Sequence, residues 1–244
     1  MTLQKSSCDD LRQSVSLDEL TRNVLKTTGL LSDRLLGRAV RASARHLALE
    51  LQLPPHFVEL LLLIEDKRFM FHPGVDLIAV PRALLFNFGT AAKRPHGAST
   101  ITQQVYSSAA RRNGRYRSTI RFKARQSLWA IWHTILCSKA RILRLYLDTV
   151  YFGRSGYGLL PAARRYCHRL PSELGIAESF FLVERIARPN RVDPIRVAML
   201  SMRAPIAATL RKDTNVVREL AALYESHFGF GERIRLCLEK SLTK

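Results

Sequence analysis

Apolar positions along this chain recur at three- and four-residue intervals, and no run of alternating β-branched residues is long enough to build a sheet. The pattern predicts an all-α protein. Helices are expected near residues 17 to 28 and 32 to 51, the second opened by Ser32 as N-cap with Asp33 in its first turn. Pro54 and Pro55 break the chain, and helices are then expected from His56 to Glu65, Asp76 to Phe88 and Ser99 to Ala110. A long apolar helix is predicted over 117 to 137, ending before Ser138, which caps a shorter helix carrying Ile142, Leu143, Leu145 and Tyr146. Gly153, Gly156 and Gly158 mark a loop. Pro171 and Ser172 begin a helix to Arg188, and two more fill 195 to 211 and 214 to 228. The breaks at Pro54 and Pro55 divide an N-terminal helical extension, 1–54, from a main domain, 55–244.

On the second helix Arg34, Arg38, Arg41 and Arg45 fall on one stripe, and Leu36, Val40 and Leu47 on another. That arrangement fits a membrane-surface helix and, more simply, a solvated face over a packed one.

Charge adds a partner to this picture. The chain has 244 residues, 47% of them hydrophobic, which suits one sizeable core, yet 39 basic against 20 acidic residues leave a net charge of +19. Self-repulsion of that size has no folding benefit and implies a polyanionic partner: nucleic acid, an anionic membrane surface or a pyrophosphate-linked substrate. The field is concentrated in the middle third, where no acidic residue occurs between Asp76 and Asp148 and every charged residue from Arg82 to Arg144 is Lys or Arg. In the run from Arg111 to Arg125 only Tyr116 and Phe122 are aromatic, a weak basis for nucleic-acid binding. Cys8, Cys137, Cys167 and Cys237 show no CxxC or metal-ligand spacing and read as free thiols. No stretch reaches the roughly 18 apolar residues of a membrane span, and the start, MTLQKSSCDD, lacks the pattern of a secretory signal.

Two segments carry candidate chemistry. In the first, Glu65-Asp66-Lys67-Arg68-Phe69-Met70-Phe71-His72-Pro73-Gly74-Val75-Asp76, a carboxylate directly follows the apolar run LLLI. Desolvation there would raise its pKa and suit it to proton abstraction near neutral pH. The plainer alternative is a structural acid paired with Lys67 or Arg68. In the second, Gly97-Ala98-Ser99-Thr100-Ile101-Thr102-Gln103-Gln104, small residues and hydroxyls open a helix whose free N–H groups are suited to phosphate. Ser99 and Gln103 would share one face, as would Thr100 and Gln104. An ordinary N-cap reads equally well from the same residues.

Together the two segments resemble the EDxxFxxHxG and GxSTITQQ motifs of glycosyltransferase family 51, the transglycosylase domains of bifunctional penicillin-binding proteins and the monofunctional transglycosylases. Lys139 to Asp148 is similar to the family's KxxILxxYLN, with Asp148 in place of the asparagine, and VYFGRSGYG also looks familial. The resemblance covers about residues 55 to 190. It implies a lysozyme-like helical fold with a cleft between a large lobe and a small membrane-facing one. It also implies a peptidoglycan glycosyltransferase that polymerises lipid II into β-1,4 glycan strands and releases undecaprenyl pyrophosphate.

By position, the resemblance gives Glu65 the role of base and makes Gln126 the second catalytic position. Asp66, Phe69 and His72 would shape the cleft; Gly97, Ser99, Thr100, Gln103 and Gln104 would line the donor site. Arg117, Lys123 and Lys139 would hold the substrate's phosphates. The family implies Mg2+ or Mn2+ as cofactor, but no metal-ligand set is visible in the sequence. Its partners would be lipid II, the nascent strand, an anionic membrane surface and other cell-wall synthases, and not nucleic acid. The expected place is peripheral to the bacterial cytoplasmic membrane, on its outer face.

The chain departs from the family in its third motif, RKxxE, which reads Phe122-Lys123-Ala124-Arg125-Gln126 and lacks both the arginine and the glutamate. Gln126 keeps the shape of glutamate without its charge, and Arg121 or Arg125 are candidate replacements for the missing cation. A lysine usual three residues after the double glutamine is Ser107, and the late RRxxxVL motif has no clear counterpart, Arg203 standing alone before Pro205. These changes also fit a weakened relative that binds lipid-linked or glycan ligands and regulates an active synthase.

Overall fold

The computed structural model describes residues 35–77, 99–117 and 119–242. They form eleven α-helices and no named strand, with one isolated bridge between Tyr151 and Tyr157. The expected helices near 17 to 28 and from Asp76 to Phe88, the Ser32 cap, Gly97 and Cys8 lie outside or largely outside the described residues.

Helix α1 spans 35–51, and its Val40, Ala44, Leu47 and Ala48 are 1–2% exposed in the same core as the rest of the chain. Arg41 on its outer side pairs with the buried Glu59 at 3.2 Å, so the helix carries a solvated face over a packed one. Helix α2, Pro55–Glu65, starts on a proline whose missing N–H is no loss at N1, and it is buried along almost its whole length. Helices α3, Ile101–Arg112, α4, Ile120–Leu136, and α5, Lys139–Thr149, follow. Ser138 caps α5 as its sequence predicts, accepting the Arg141 N–H at 3.2 Å.

The last part of the chain is more broken than its periodicity suggests. After α6, Leu159–Cys167, the single helix expected from Pro171 to Arg188 is a 3-10 turn, Pro171–Glu173, and a separate helix α7, Ile176–Ala187. Gly175 makes the break, its N–H held at 2.7 Å by Glu178, a side chain from the first turn of α7. The segment 195 to 211 likewise divides into α8, Pro194–Ser201, and α9, Ala204–Leu210, because Pro205 can begin a helix but cannot continue one. Helix α10, Val216–Phe228, ends on Gly229 in the left-handed region at φ 69°, and an unforeseen α11, Gly231–Leu242, folds back to bury Ile234 and Leu238.

One hydrophobic cluster draws buried residues from every helix except α4, whose Trp129 only borders it. Along α4 only Phe122, Gln126 and Ala130 are buried, a stripe one residue wide, while Leu128, Trp132, Ile135 and Leu136 are 61–69% exposed. No helix among the described residues is long and apolar enough to cross a membrane, and Cys137, Cys167 and Cys237 are free thiols.

Candidate active site

The apolar run of α2, with Leu60 to Leu63 at 0–2% exposure, pins the end of that helix in the core. Glu65 is therefore delivered, partly buried, at the edge of the interior. Burial pushes its carboxyl above the ordinary glutamate value; the Gln104 hydrogen bond and the nearby Arg196 charge pull it back, and Asp66 adds to the rise. Arg68, one candidate structural partner, turns to Asp76 at 2.7 Å instead. The group that reaches Glu65 is a neutral amide: Gln104 Nε2 donates to Oε2 at 2.9 Å, and the Tyr146 hydroxyl donates to Gln104 Oε1 at 2.8 Å. Tyr146 is fully buried, and burial together with Glu65 and Asp66 holds its phenol well above the usual range, so it remains a donor. Its donation fixes which end of the Gln104 amide faces the carboxylate.

Asp66, one residue on, has the opposite fate. It is 7% exposed and accepts from the Ile101 backbone N–H at 3.0 Å and from His72 Nε2 at 3.0 Å. The Gly74 N–H points at His72 Nδ1, 3.1 Å away, which assigns the proton of the neutral ring to Nε2. Gly74 itself has φ +98°, and a Cβ there would lie 2.2 Å from the Ala130 carbonyl, so only glycine lets this turn touch α4. Lys139 closes the group from the other side, donating to the His72 carbonyl at 2.8 Å with its ammonium 4.7 Å from the buried Phe69 ring. Burial lowers the Lys139 pKa to about 8 against the opposing pull of Asp66.

At the start of α3 the two readings of the sequence separate. Thr100 is the N-cap, accepting the Gln103 N–H at 3.2 Å while Gln103 Oε1 accepts the Thr100 N–H at 3.0 Å. The Thr100 hydroxyl donates to the Gly74 carbonyl at 2.6 Å, and Gln103 Nε2 donates to Ser127 at 3.0 Å. The N–H groups of Ile101 and Gln103 are thus used internally, and no open phosphate cradle is left on them. Ser99 remains at the surface with Lys123, whose ammonium donates to its hydroxyl at 3.2 Å.

Gln126 is 1% exposed, buried between α3 and α4. Its amide donates to the Gln103 carbonyl at 2.7 Å and to the Ser107 hydroxyl, while its Oε1 has no partner. Two departures from the family pattern, Ser107 after the double glutamine and Gln126 in the third motif, are therefore one contact, a neutral pair joining two helices. Arg117, Arg121 and Arg125 line a separate pocket beside Tyr106, together with Phe122, the position of the missing cation. Arg196 was not singled out in the sequence; as the first basic residue of α8 it carries no motif, and only the fold brings its charge to Glu65. Among the described residues no group of three His, Cys, Asp or Glu side chains could hold a metal, and the Gln126 amide is engaged as a donor. Gln126 therefore brings no carboxylate to a divalent cation at this position.

The chain matches the Transglycosylase family over residues 33–218. It belongs to that family. Among relatives of this transglycosylase, penicillin-binding protein 1A of Rickettsia felis is 32% identical over 173 residues, 69% of this chain and 22% of the relative. Penicillin-binding protein 1A of Rickettsia conorii is 35% identical over 145 residues, 59% of this chain and 18% of the relative. Penicillin-binding protein 1B of Vibrio cholerae is 34% identical over 151 residues, 60% and 19% of the two chains. The transglycosylase thus spans about a fifth of the length of these relatives, and its family match begins within the segment that the sequence reading set apart as an extension.

Proposed function

We propose that this transglycosylase polymerises lipid II into β-1,4 glycan strands, with Glu65 as the general base. The observation that carries the proposal is a carboxylate whose pKa burial raises, aimed by the Tyr146–Gln104 relay. Glu65 would take the proton of the acceptor sugar's 4-hydroxyl as that oxygen attacks the anomeric carbon of the growing chain. The anomeric C–O bond to the diphosphate breaks with inversion, and its electron pair leaves on undecaprenyl pyrophosphate. A leaving group that departs as a stable anion needs cations more than a general acid. Lys123 with Ser99, Lys139 and Arg196 supply them around the Glu65 group. The proposed setting is the outer face of the cytoplasmic membrane, with the chain bound peripherally to anionic lipid.

The buried Gln126 favours one alternative, a relative that holds lipid II without polymerising it. Polymerisation of purified lipid II by the wild type and by Glu65→Gln decides between the two. Polymer from the wild type alone supports the transferase; no polymer from either, with lipid II binding retained, supports the binding protein.

A further inference from the structure

On the side of α3 turned away from Glu65, helices α3, α4 and α5 enclose a pocket of about 720 Å³. Gln104 reaches Glu65, whereas Tyr106, about half a turn round the helix, lies in the pocket wall. The pocket and the Glu65 group are thus separated by α3 itself and by its contact with α4 at Gln126.

The wall is apolar and built. Tyr106 packs on Phe122 with ring centroids 5.4 Å apart and on Trp129 at 5.6 Å, and Val105 and Leu145 complete the lining from α3 and α5. Phe122 stands where the family motif has arginine, and it is 9% exposed, so this departure removes a cation and adds an aromatic surface to the pocket. The rim is cationic: Arg115, Arg117, Arg121 and Arg125 line the same pocket and are exposed. No acidic residue occurs between Asp76 and Asp148, so neither α3 nor α4 carries a carboxylate of its own beside them. Guanidinium groups match phosphate oxygens in paired hydrogen bonds, and an apolar wall beneath them matches a hydrocarbon chain. Next to Trp129 on the same helix, Leu128 and Trp132 are 69% and 63% exposed, which places an uncovered apolar surface beside the pocket.

We infer that this pocket binds an acidic phospholipid of the membrane, its phosphate on the arginine rim and part of its chain against Tyr106, Phe122 and Trp129. A single nucleic-acid strand stacks its bases on open aromatic faces, and the rings that line the pocket are packed against one another. The inference uses neither Glu65 nor its neighbours; Arg117, which the resemblance assigns to the substrate, is the residue that the two readings share.

The chain has two tryptophans, and in a Trp132→Phe background the fluorescence of Trp129 reports on the pocket alone. Titration with monomeric short-chain phosphatidylglycerol is expected to give a saturable change. Phosphatidylcholine of equal chain length and inorganic phosphate should each bind about tenfold more weakly or worse, one lacking net charge and the other the chain. Replacing two rim arginines, Arg121→Gln with Arg125→Gln, should weaken phosphatidylglycerol by about tenfold or more. The same charge removed from α6, Arg164→Gln with Arg165→Gln, should change it by less than about twofold, because distant exposed charges are screened. Equal losses from the two pairs would reduce the effect to net charge and overturn the site. Phosphatidylcholine or free phosphate binding as tightly as phosphatidylglycerol would overturn it too.

Discussion

Glu65, at the edge of the interior, and Glu184, in its heart, stand on helices α2 and α7 that run against each other, and Arg196 is near both. Glu184 is fully buried and paired with a cation: the Arg185 guanidinium and the Tyr224 hydroxyl, 2.9 Å away, both donate to its Oε2, while Oε1, 3.6 Å from Arg196, accepts no hydrogen bond. Glu65 receives only the neutral Gln104 amide from the hydrogen bonds described, with Arg196 as an unbonded influence. A buried carboxylate given a cation in contact serves the fold, since removing either partner leaves the other charge uncompensated. One given an amide keeps part of its desolvation cost, which is the condition under which it takes a proton from a substrate near neutral pH.

The largest expected effect separates these roles outright. Glu65→Gln should lower polymerisation by about 10²–10⁴-fold while the cooperative urea transition survives. Glu184→Gln should instead cost about 3–5 kcal/mol of stability, because Arg185, 0% exposed, is left without its counter-charge. If urea titration showed Glu65→Gln unfolded and Glu184→Gln unaffected, the comparison would be wrong.

A smaller effect tests whether the departures at 107 and 126 form one unit. Gln126→Glu alone turns a donor toward the Gln103 carbonyl into a second acceptor in a buried site, at a cost of about 1–3 kcal/mol. Ser107→Lys made alongside it supplies an ammonium at the contact, so the double variant should be more stable than the sum of the singles by about 0.5–3 kcal/mol. Additive singles would show that the two positions are independent.

The fold class was legible because periodicity and caps are local: Ser138 and the apolar run before Glu65 act within a few residues of themselves. Motif position also singled out Glu65 and Gln104, which the fold brings into a 2.9 Å hydrogen bond. What the sequence could not show was the direction each motif side chain takes. Thr100 and Gln103 read as substrate ligands, yet the capping box and Ser127 consume them. Gln126 read as a catalytic position and is interior packing in this structure. Tyr146 registered as an apolar helix position and as a motif letter without a role, although its hydroxyl aims the relay. The breaks at Gly175 and before Pro205 were carried by single residues inside otherwise continuous patterns, and α11 rests on two buried residues, Ile234 and Leu238, after a glycine stop.

Lys139 extends the comparison to a cation, with an effect of a few-fold. Its lowered pKa, about 8, means that the ammonium is lost within an accessible pH range. Because the folded value lies below the unfolded 10.5, the folded protein gains stability as pH rises from about 8 toward that value, even as the charge disappears. Polymerisation should therefore fall above about pH 8 without unfolding, and Lys139→Arg should remove that alkaline limb, because arginine stays protonated. A limb unchanged in the arginine variant would assign it to another group.

The smallest expected effect is a gain in stability. The folded pKa of Glu65 is raised above the model-peptide value of 4.5, so the native state binds its proton more tightly than the unfolded chain does. The cost of holding the ionised form begins as pH rises through 4.5 and is complete once pH exceeds the folded value. Glu65→Gln removes that cost while keeping a hydrogen-bonding partner for Gln104, so at pH 7 to 8 the inactive variant should melt at or slightly above the wild type. Toward pH 4.5 the difference should vanish, since both side chains are then neutral. Thermal melts at the two pH values check this, and a variant less stable at neutral pH would mean that Glu65, like Glu184, supports the fold.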